Sequence, residues 1–281
     1  MRNIQALAID LDGTTLLPGA ILAERTIRAL KACIRLGIQV IISTGRSVAS
    51  AEPYRTAIGA EGPMVCYNGA EVVAMPGETV LGATLLDPEI LDFCLDLARK
   101  EGVYFQVYCP KTADVPHEVL RADKNAPEAE GYRAHTGIQP VFGDLKTALA
   151  APGFKGGIKC MFLTDQGMME RLRPAIIERF GDHRSGGRVY IAQTSPTFLE
   201  VMAAGVSKGR GLALAMDHLG LTSDEVIAFG DEENDLPMFT VAGHSAAPAN
   251  AKPQVLAAAD RVIGPCAGEG LAAFLEDEFG V

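Results

Sequence analysis

Ile4–Ile9 is a short, almost wholly apolar run that stops at an aspartate, and it opens the pattern that most constrains the fold. Such a run reads as a strand buried on both faces. Ala23–Gly37 follows with Ile27, Leu30, Cys33 and Ile34 at helical spacing and Gly37 as a stop. Ile38–Ile42 and Pro63–Cys66 are two further buried strands, separated by a helix over Ser47–Ile58 that contains Pro53. Strand–helix–strand alternation implies parallel crossovers, hence an α/β sheet with helices on both faces: a Rossmann-like, doubly wound parallel core.

The alternation stops near Glu71. Glu71–Ala74 and Thr79–Ala83 flank Met75-Pro76-Gly77-Glu78 and read as a hairpin. A helix is expected over Pro88–Lys100, strands over Val103–Tyr108 and Ile158–Leu163, a helix over Met168–Phe180, and strands over Val189–Ala192 and Phe198–Met202. The stretch Pro110–Pro152, richer in proline, glycine and charge, does not divide into elements by pattern. From Ser207 the rhythm returns with a helix over 208–219, a strand over Val226–Phe229 and a helix over 233–240. The expected organisation is a core of residues 1–84 and 193–281 interrupted by an inserted α+β domain, 85–192.

Composition removes several classes of function. The net charge is −10 with no concentration of lysine and arginine, which argues against nucleic-acid binding and against an anionic membrane surface. Six scattered cysteines without a Cys-x-x-Cys pair read as small buried hydrophobes in a reducing compartment. Asp10 cuts the first apolar run too short for a secretory signal, and no run is long enough to span a membrane, so a cytoplasmic location is expected. The pattern leaves the oligomeric state open.

Four polar clusters stand at strand ends or helix starts. Asp10 and Asp12 leave the first strand at i and i+2, with Gly13 for a sharp turn and the Thr14 hydroxyl beside them. A helix-capping turn is the structural alternative. Ser43-Thr44-Gly45-Arg46 follows the second strand, offering a hydroxyl and close backbone approach to an anion, with helix capping as the structural alternative. Lys208 opens a helix, where free N–H groups and the dipole favour phosphate, with a solvated lysine as the structural alternative. Asp231, Glu232, Glu233 and Asp235 crowd one strand end, with Asn234 between them. Their repulsion is relieved by a cation or by solvent, and as hard oxygen ligands they suit magnesium; the spacing does not fit an EF-hand. Each cluster alone is weak. Their consistent placement in one sheet is specific.

These residues resemble the haloacid dehalogenase superfamily of phosphohydrolases, and within it the Cof-type branch with an α/β cap. The matching segments are LAIDLDGTTL (7–16), IISTGR (41–46), VSKG (206–209) and AFGDEENDLPMF (228–239), with YNGA (67–70) and APANA (247–251) supporting the branch. The resemblance implies Asp10 as nucleophile and Asp12 as general acid and then base. It implies Thr44, Lys208 and Asn234 as phosphate ligands, and Mg2+ held by Asp10, the Asp12 carbonyl and Asp231, with Asp235 in support. An Asp at the second position favours a phosphatase or phosphomutase over other chemistries of the superfamily. The implied substrate is a small phosphorylated metabolite, such as a sugar phosphate or phosphorylated cofactor. A non-catalytic phosphate-sensing module and a receiver-type domain are the rivals outside phosphoryl-transfer enzymes.

Pro237 departs from the family pattern but is tolerated in a first helical turn. Pro248-Ala249 replaces the family's Met-Gly ahead of Asn250, so that loop is given no catalytic role. Arg46, Asn68, Lys159 and His183 are candidate substrate contacts, with a surface Arg, a turn Asn, a snorkelling Lys at a sheet edge and a solvated loop as the structural alternatives. His117, His135, His218 and His244 form no metal-ligand pattern. The inserted domain is expected to close over the magnesium site and set specificity.

Overall fold

The computed structural model describes residues 3–76, 79–111 and 118–281. The chain divides into two compact units, Met1–Ala83 with Ser207–Val281, and Thr84–Val206. The turn at Gly77-Glu78 and His117 lie outside the described residues.

The first unit begins with β1 (Ala6–Ile9), every residue of which is buried, then α1 (Glu24–Arg35) and β2 (Gln39–Ser43). Next come α2 (Val48–Ile58), with Ser47 accepting the Ser50 N–H as its cap, and β3 (Met64–Cys66). The chain then turns back antiparallel through β4 (Glu71–Ala74) and β5 (Thr79–Ala83), as the hairpin pattern predicts.

The second unit contains α3 (Pro88–Glu101), β6 (Tyr104–Cys109), β7 (Val119–Ala122), α4 (Pro127–Thr136), β8 (Val141–Phe142) and α5 (Leu145–Leu149). It continues with β9 (Lys159–Leu163), α6 (Gln166–Phe180), β10 (Val189–Ser195) and β11 (Phe198–Ala203). Its sheet, six-stranded among the described residues, has the order β10-β11-β9-β6-β7-β8 and is antiparallel except between β7 and β8. The expected boundary at 192/193 is corrected by this pairing. β10 runs through that point, β11 pairs with β9, and the unit therefore extends to Val206.

The chain re-enters the first unit at α7 (Lys208–Leu219), followed by β12 (Val226–Phe229) and the short helix α8 (Leu236–Phe239). Glu233–Asp235, expected as α-helix, is a 3₁₀ turn. β13 (His244–Pro248), α9 (Pro253–Ala258), β14 (Arg261–Ile263) and α10 (Gly270–Phe279) complete the unit. Its sheet order is β14-β13-β12-β1-β2-β3-β4-β5, parallel from β14 to β3. α7 packs Leu212, Ala215 and Met216 onto Ala6, Ala8, Val65 and Ala228 of the strands. Removing the Leu212 side chain beyond Cβ would cost about 2–5 kcal/mol, the range for buried leucines.

This order fixes where a site must lie. From β1 the chain proceeds outward through β2 and β3, and from β12 it proceeds the opposite way through β13 and β14. The crevice beyond the carboxyl ends of β1 and β12 is the switch point at which open α/β sheets bind ligands. Asp10 follows β1, and Gly230-Asp231 follows β12.

Candidate active site

At that switch point the structure gathers the polar residues singled out in the first unit. Lys208 is the first residue of α7, and its Nζ lies 2.6 Å from Asp10 Oδ1 and 2.6 Å from Asp235 Oδ1. All three are nearly sealed from solvent, at 2, 5 and 0 % exposure. A lysine here is otherwise unfavourable to the helix and costly to bury; two carboxylates account for it. Burial pulls the Lys208 pKa down, but the charges and hydrogen bonds of Asp10 and Asp235 outweigh it and raise the pKa overall.

Asp235 is fully engaged. Its Oδ2 also accepts the backbone N–H groups of Asp231 and Glu232, at 3.0 Å each. Asp231 accepts the Thr14 hydroxyl on Oδ1 at 2.7 Å. Gly13 sits between them in the left-handed region, at φ +83°, and a Cβ there would collide with the Asp231 carboxylate. The glycine lets the β1 loop pass close to the acidic strand end.

These carboxylates fit a cation. Asp10, Asp231 and Asp235 are buried, with oxygen atoms within 4.8 Å of one another. When ionised, against the one charge of Lys208, they leave an excess matched by a divalent ion. Burial pushes Asp231 up to about 6, helped by Asp235 and Glu232 and opposed by Thr14. Burial is also the largest influence on Asp10, which is pushed well above the usual carboxylate range despite Lys208. Oxygen donors remain open. Among the described residues, Asp10 Oδ2 and Asp231 Oδ2 accept no hydrogen bond. The Asp10, Leu11 and Gly13 carbonyls accept protein N–H or O–H groups, and the Asp12 carbonyl accepts none among the described residues.

Thr44 follows β2, fully buried, and its hydroxyl accepts the Arg46 N–H at 3.1 Å. Asn234 donates through Nδ2 to Asn68 Oδ1 at 2.9 Å, and its own Oδ1 is buried without a partner among the described residues. Asn68 is 2 % exposed and left-handed at φ +58°, as is Tyr67 before it at φ +52°. Backbone bonds hold the pair there, from Tyr67 N–H to the Arg46 carbonyl and from Asn68 N–H to the Thr44 carbonyl, each 3.0 Å. Gly69, at φ +93°, lets this turn press on the Ser207 carbonyl at the start of α7. The YNGA segment thus braces the Thr44 loop, the Lys208 helix and Asn234 together. Asp12, in contrast, is exposed and paired with Arg46.

Lys159 and His183 belong to the second unit. The edge-strand reading of Lys159 is corrected: β9 lies inside its sheet, and Lys159 is 4 % exposed with Nζ 2.8 Å from Glu200 Oε1 and 5.4 Å from the Tyr108 ring centre. His183 stacks edge-on against Tyr190, with Nδ1 3.5 Å from Asp182. Sequence reasoning gave Thr14 only a generic hydroxyl and gave Asn250 no role, although Asn250 bonds to the β1 loop. The only sequence signal for Asn250 is its place in APANA.

A family model described as haloacid dehalogenase-like hydrolase matches residues 7–275, and the chain belongs to that family. An HMP-PP phosphatase of Enterobacter sp. (strain 638) is 29 % identical over 270 residues, covering 95 % of this chain and 93 % of the relative. The solved structure of TM0651 from Thermotoga maritima is 26 % identical, with a TM-score of 0.84 over 98 % of this chain and 97 % of that one. A haloacid dehalogenase-like hydrolase from Bacteroides thetaiotaomicron has a TM-score of 0.85 at 22 % identity, over 98 % and 99 % of the two chains, a likeness of fold. Among the described residues, no helix is long and apolar enough to cross a membrane.

Proposed function

We propose that this protein is a magnesium-dependent phosphatase that hydrolyses a small phosphorylated metabolite through an aspartyl-phosphate on Asp10. The observation that carries the reading is the buried Asp10–Lys208–Asp235 arrangement beside Asp231, a cluster of four charges that is costly to bury for structure alone. The name of the Enterobacter relative, an HMP-PP phosphatase, supports a phosphorylated small molecule as substrate.

Asp10 attacks phosphorus through one carboxylate oxygen as the bond to the leaving oxygen breaks, and Asp12 gives that oxygen its proton. Asp12 then takes a proton from water, whose oxygen attacks phosphorus, and the Asp10–phosphorus bond breaks to release inorganic phosphate. Thr44, Lys208 and Asn234 hold the phosphoryl oxygens, and Asp235 fixes the Lys208 ammonium. Mg2+ would be held by the Asp10 and Asp231 carboxylates and the Asp12 carbonyl. When bound it supplies positive charge that offsets repulsion between Asp10 and the phosphoryl group.

Purified protein assayed against a panel of phosphorylated metabolites tests this. Turnover should stop with chelator, return with magnesium and fail to return with calcium, which takes more ligands at longer distances. Asp10→Asn should abolish turnover while leaving the fold intact. Full activity in excess chelator, or retention of more than a few per cent by Asp10→Asn, would refute it.

A further inference from the structure

The segment after β13 reaches both stretches of chain assigned to the cation. Asn250 Nδ2 donates to the Gly13 carbonyl at 2.9 Å, across most of the sequence. Two residues on, the Lys252 N–H donates to the Asp231 carbonyl at 2.9 Å. One short loop therefore ties the β1 loop to the β12 strand end, alongside the direct Thr14–Asp231 bond.

The loop is itself anchored. Asn250 Oδ1 accepts the Cys266 N–H at 2.7 Å, Ala249 N–H donates to the Ile263 carbonyl at 3.1 Å, and Ala251 N–H donates to the Pro248 carbonyl at 2.8 Å. Cys266 also donates through Sγ to the Leu16 carbonyl at 3.1 Å, so the β1 loop is held at Gly13 and again at Leu16. The Asn250 amide uses both ends, with its acceptor fixed on Cys266 and its donor aimed at Gly13. With φ +83° at Gly13 and no Cβ, that peptide has little intrinsic reason to keep one orientation. Its neighbour is the Asp12 carbonyl, the one carbonyl of residues 10–13 that accepts no hydrogen bond among the described residues.

We propose that Asn250 is a positioning residue of the cation site: by holding the Gly13 carbonyl it keeps the Asp12 carbonyl facing the Asp10 and Asp231 carboxylates. The inference rests on the metal assignment proposed above. Groups that orient metal ligands typically change affinity by 10–100-fold when removed.

Asn250→Ala and Asn250→Leu both delete the amide, one leaving space and the other keeping roughly the volume; neither adds charge. Asn250 is exposed, so both variants should fold, and melting in chelator checks this for each. Titration calorimetry with magnesium alone, on the full chain, should give dissociation constants about tenfold weaker than wild type. Turnover lost at low magnesium should recover as magnesium is raised. A dissociation constant within twofold of wild type in a folded variant would overturn the proposal, as would a turnover defect that saturating magnesium does not repair. Wild-type protein that binds no magnesium would sink it together with the cation site. Wild-type protein that binds magnesium but turns over no phosphate ester would remove the proposed function and leave the role of Asn250 to the calorimetry.

Discussion

Arg46 grips Asp12 with a two-pronged fork, Nε to Oδ2 at 2.7 Å and Nη2 to Oδ1 at 2.6 Å, while its guanidinium lies over the Tyr54 ring at 5.1 Å. Both Asp12 oxygens accept from this fork. One must leave it to carry the proton for the leaving oxygen, while the other stays gripped and fixes the group's direction, a hold that a lysine ammonium does not reproduce. Arg46→Lys should lower kcat/KM for alkyl phosphates by about tenfold. An aryl phosphate should lose less, because its leaving group needs little help from Asp12. Equal losses on both substrates would place Arg46 on the phosphoryl group instead.

Asp12→Asn carries the same reasoning to the acid itself. Its effect on alkyl phosphates should reach about 10²–10⁴-fold, the usual contribution of a positioned acid, with para-nitrophenyl phosphate affected less in the first half-reaction. Pre-steady-state release of nitrophenolate isolates that step. A burst slowed as much as alkyl-phosphate turnover would count against the assignment.

The acidic cluster predicts an unusual pH dependence of stability. Asp231 is raised from 3.8 to about 6, and Asp10 moves the same way, burial being the largest cause for each. For an acid whose folded pKa is raised, the contribution is complete below the unfolded value and is lost as pH rises through the folded one. Cation-free protein should therefore lose up to about 3 kcal/mol from Asp231 between roughly pH 4 and 7. Magnesium should raise Tm more at pH 7 than at pH 5. In Asp231→Asn the decline should be smaller and the magnesium response weak. A magnesium shift independent of pH in wild type would reject this account.

In the second unit, Lys159 and Glu200 form an ion pair with both side chains at most 5 % exposed. Breaking such a pair from one side typically costs 3–5 kcal/mol, so Glu200→Gln should destabilise by about 3 kcal/mol in urea unfolding. Lys159→Met with Glu200→Leu should recover most of that loss. Single and double variants of equal stability would show the pair to be energetically idle.

The core was legible because strands buried on both faces read as uninterrupted apolar runs; β1, β2 and β12 lie where those runs put them. The stretch Pro110–Pro152 was not, because β7, β8 and α5 are five residues or fewer and α4, PEAEGYRAHT, carries no apolar stripe at helical spacing. β8 is two exposed residues, and α5 is one turn capped by Asp144. The second boundary failed for another reason: strand pattern identifies β10 and β11 without saying which sheet receives them. Lys159 was misjudged because its partner lies 41 positions away, where nothing in the local run announces it. At the site, residue types pointed to the chemistry, while the links Thr14–Asp231, Asn68–Asn234 and Asn250–Gly13 emerge only once distant segments meet.

The placement of β1 between β2 and β12 also bears on how the molecule is made. On the ribosome, β1 precedes β12 by the whole of Thr84–Val206 and gains its second neighbour only after that unit has been synthesised, whereas the intervening unit is contiguous. Vectorial synthesis therefore favours the later-numbered unit folding while the earlier strands still wait for their partners. Asp10 spends that interval without Lys208, which arrives 198 positions later. In nascent chains arrested far enough beyond Val206 for that residue to have left the exit tunnel, protease should spare the intervening unit and cut the amino-terminal strands. The reactive carboxylate would then acquire its lysine only after the intervening unit has been made, and catalytic competence would wait on the arrival of α7.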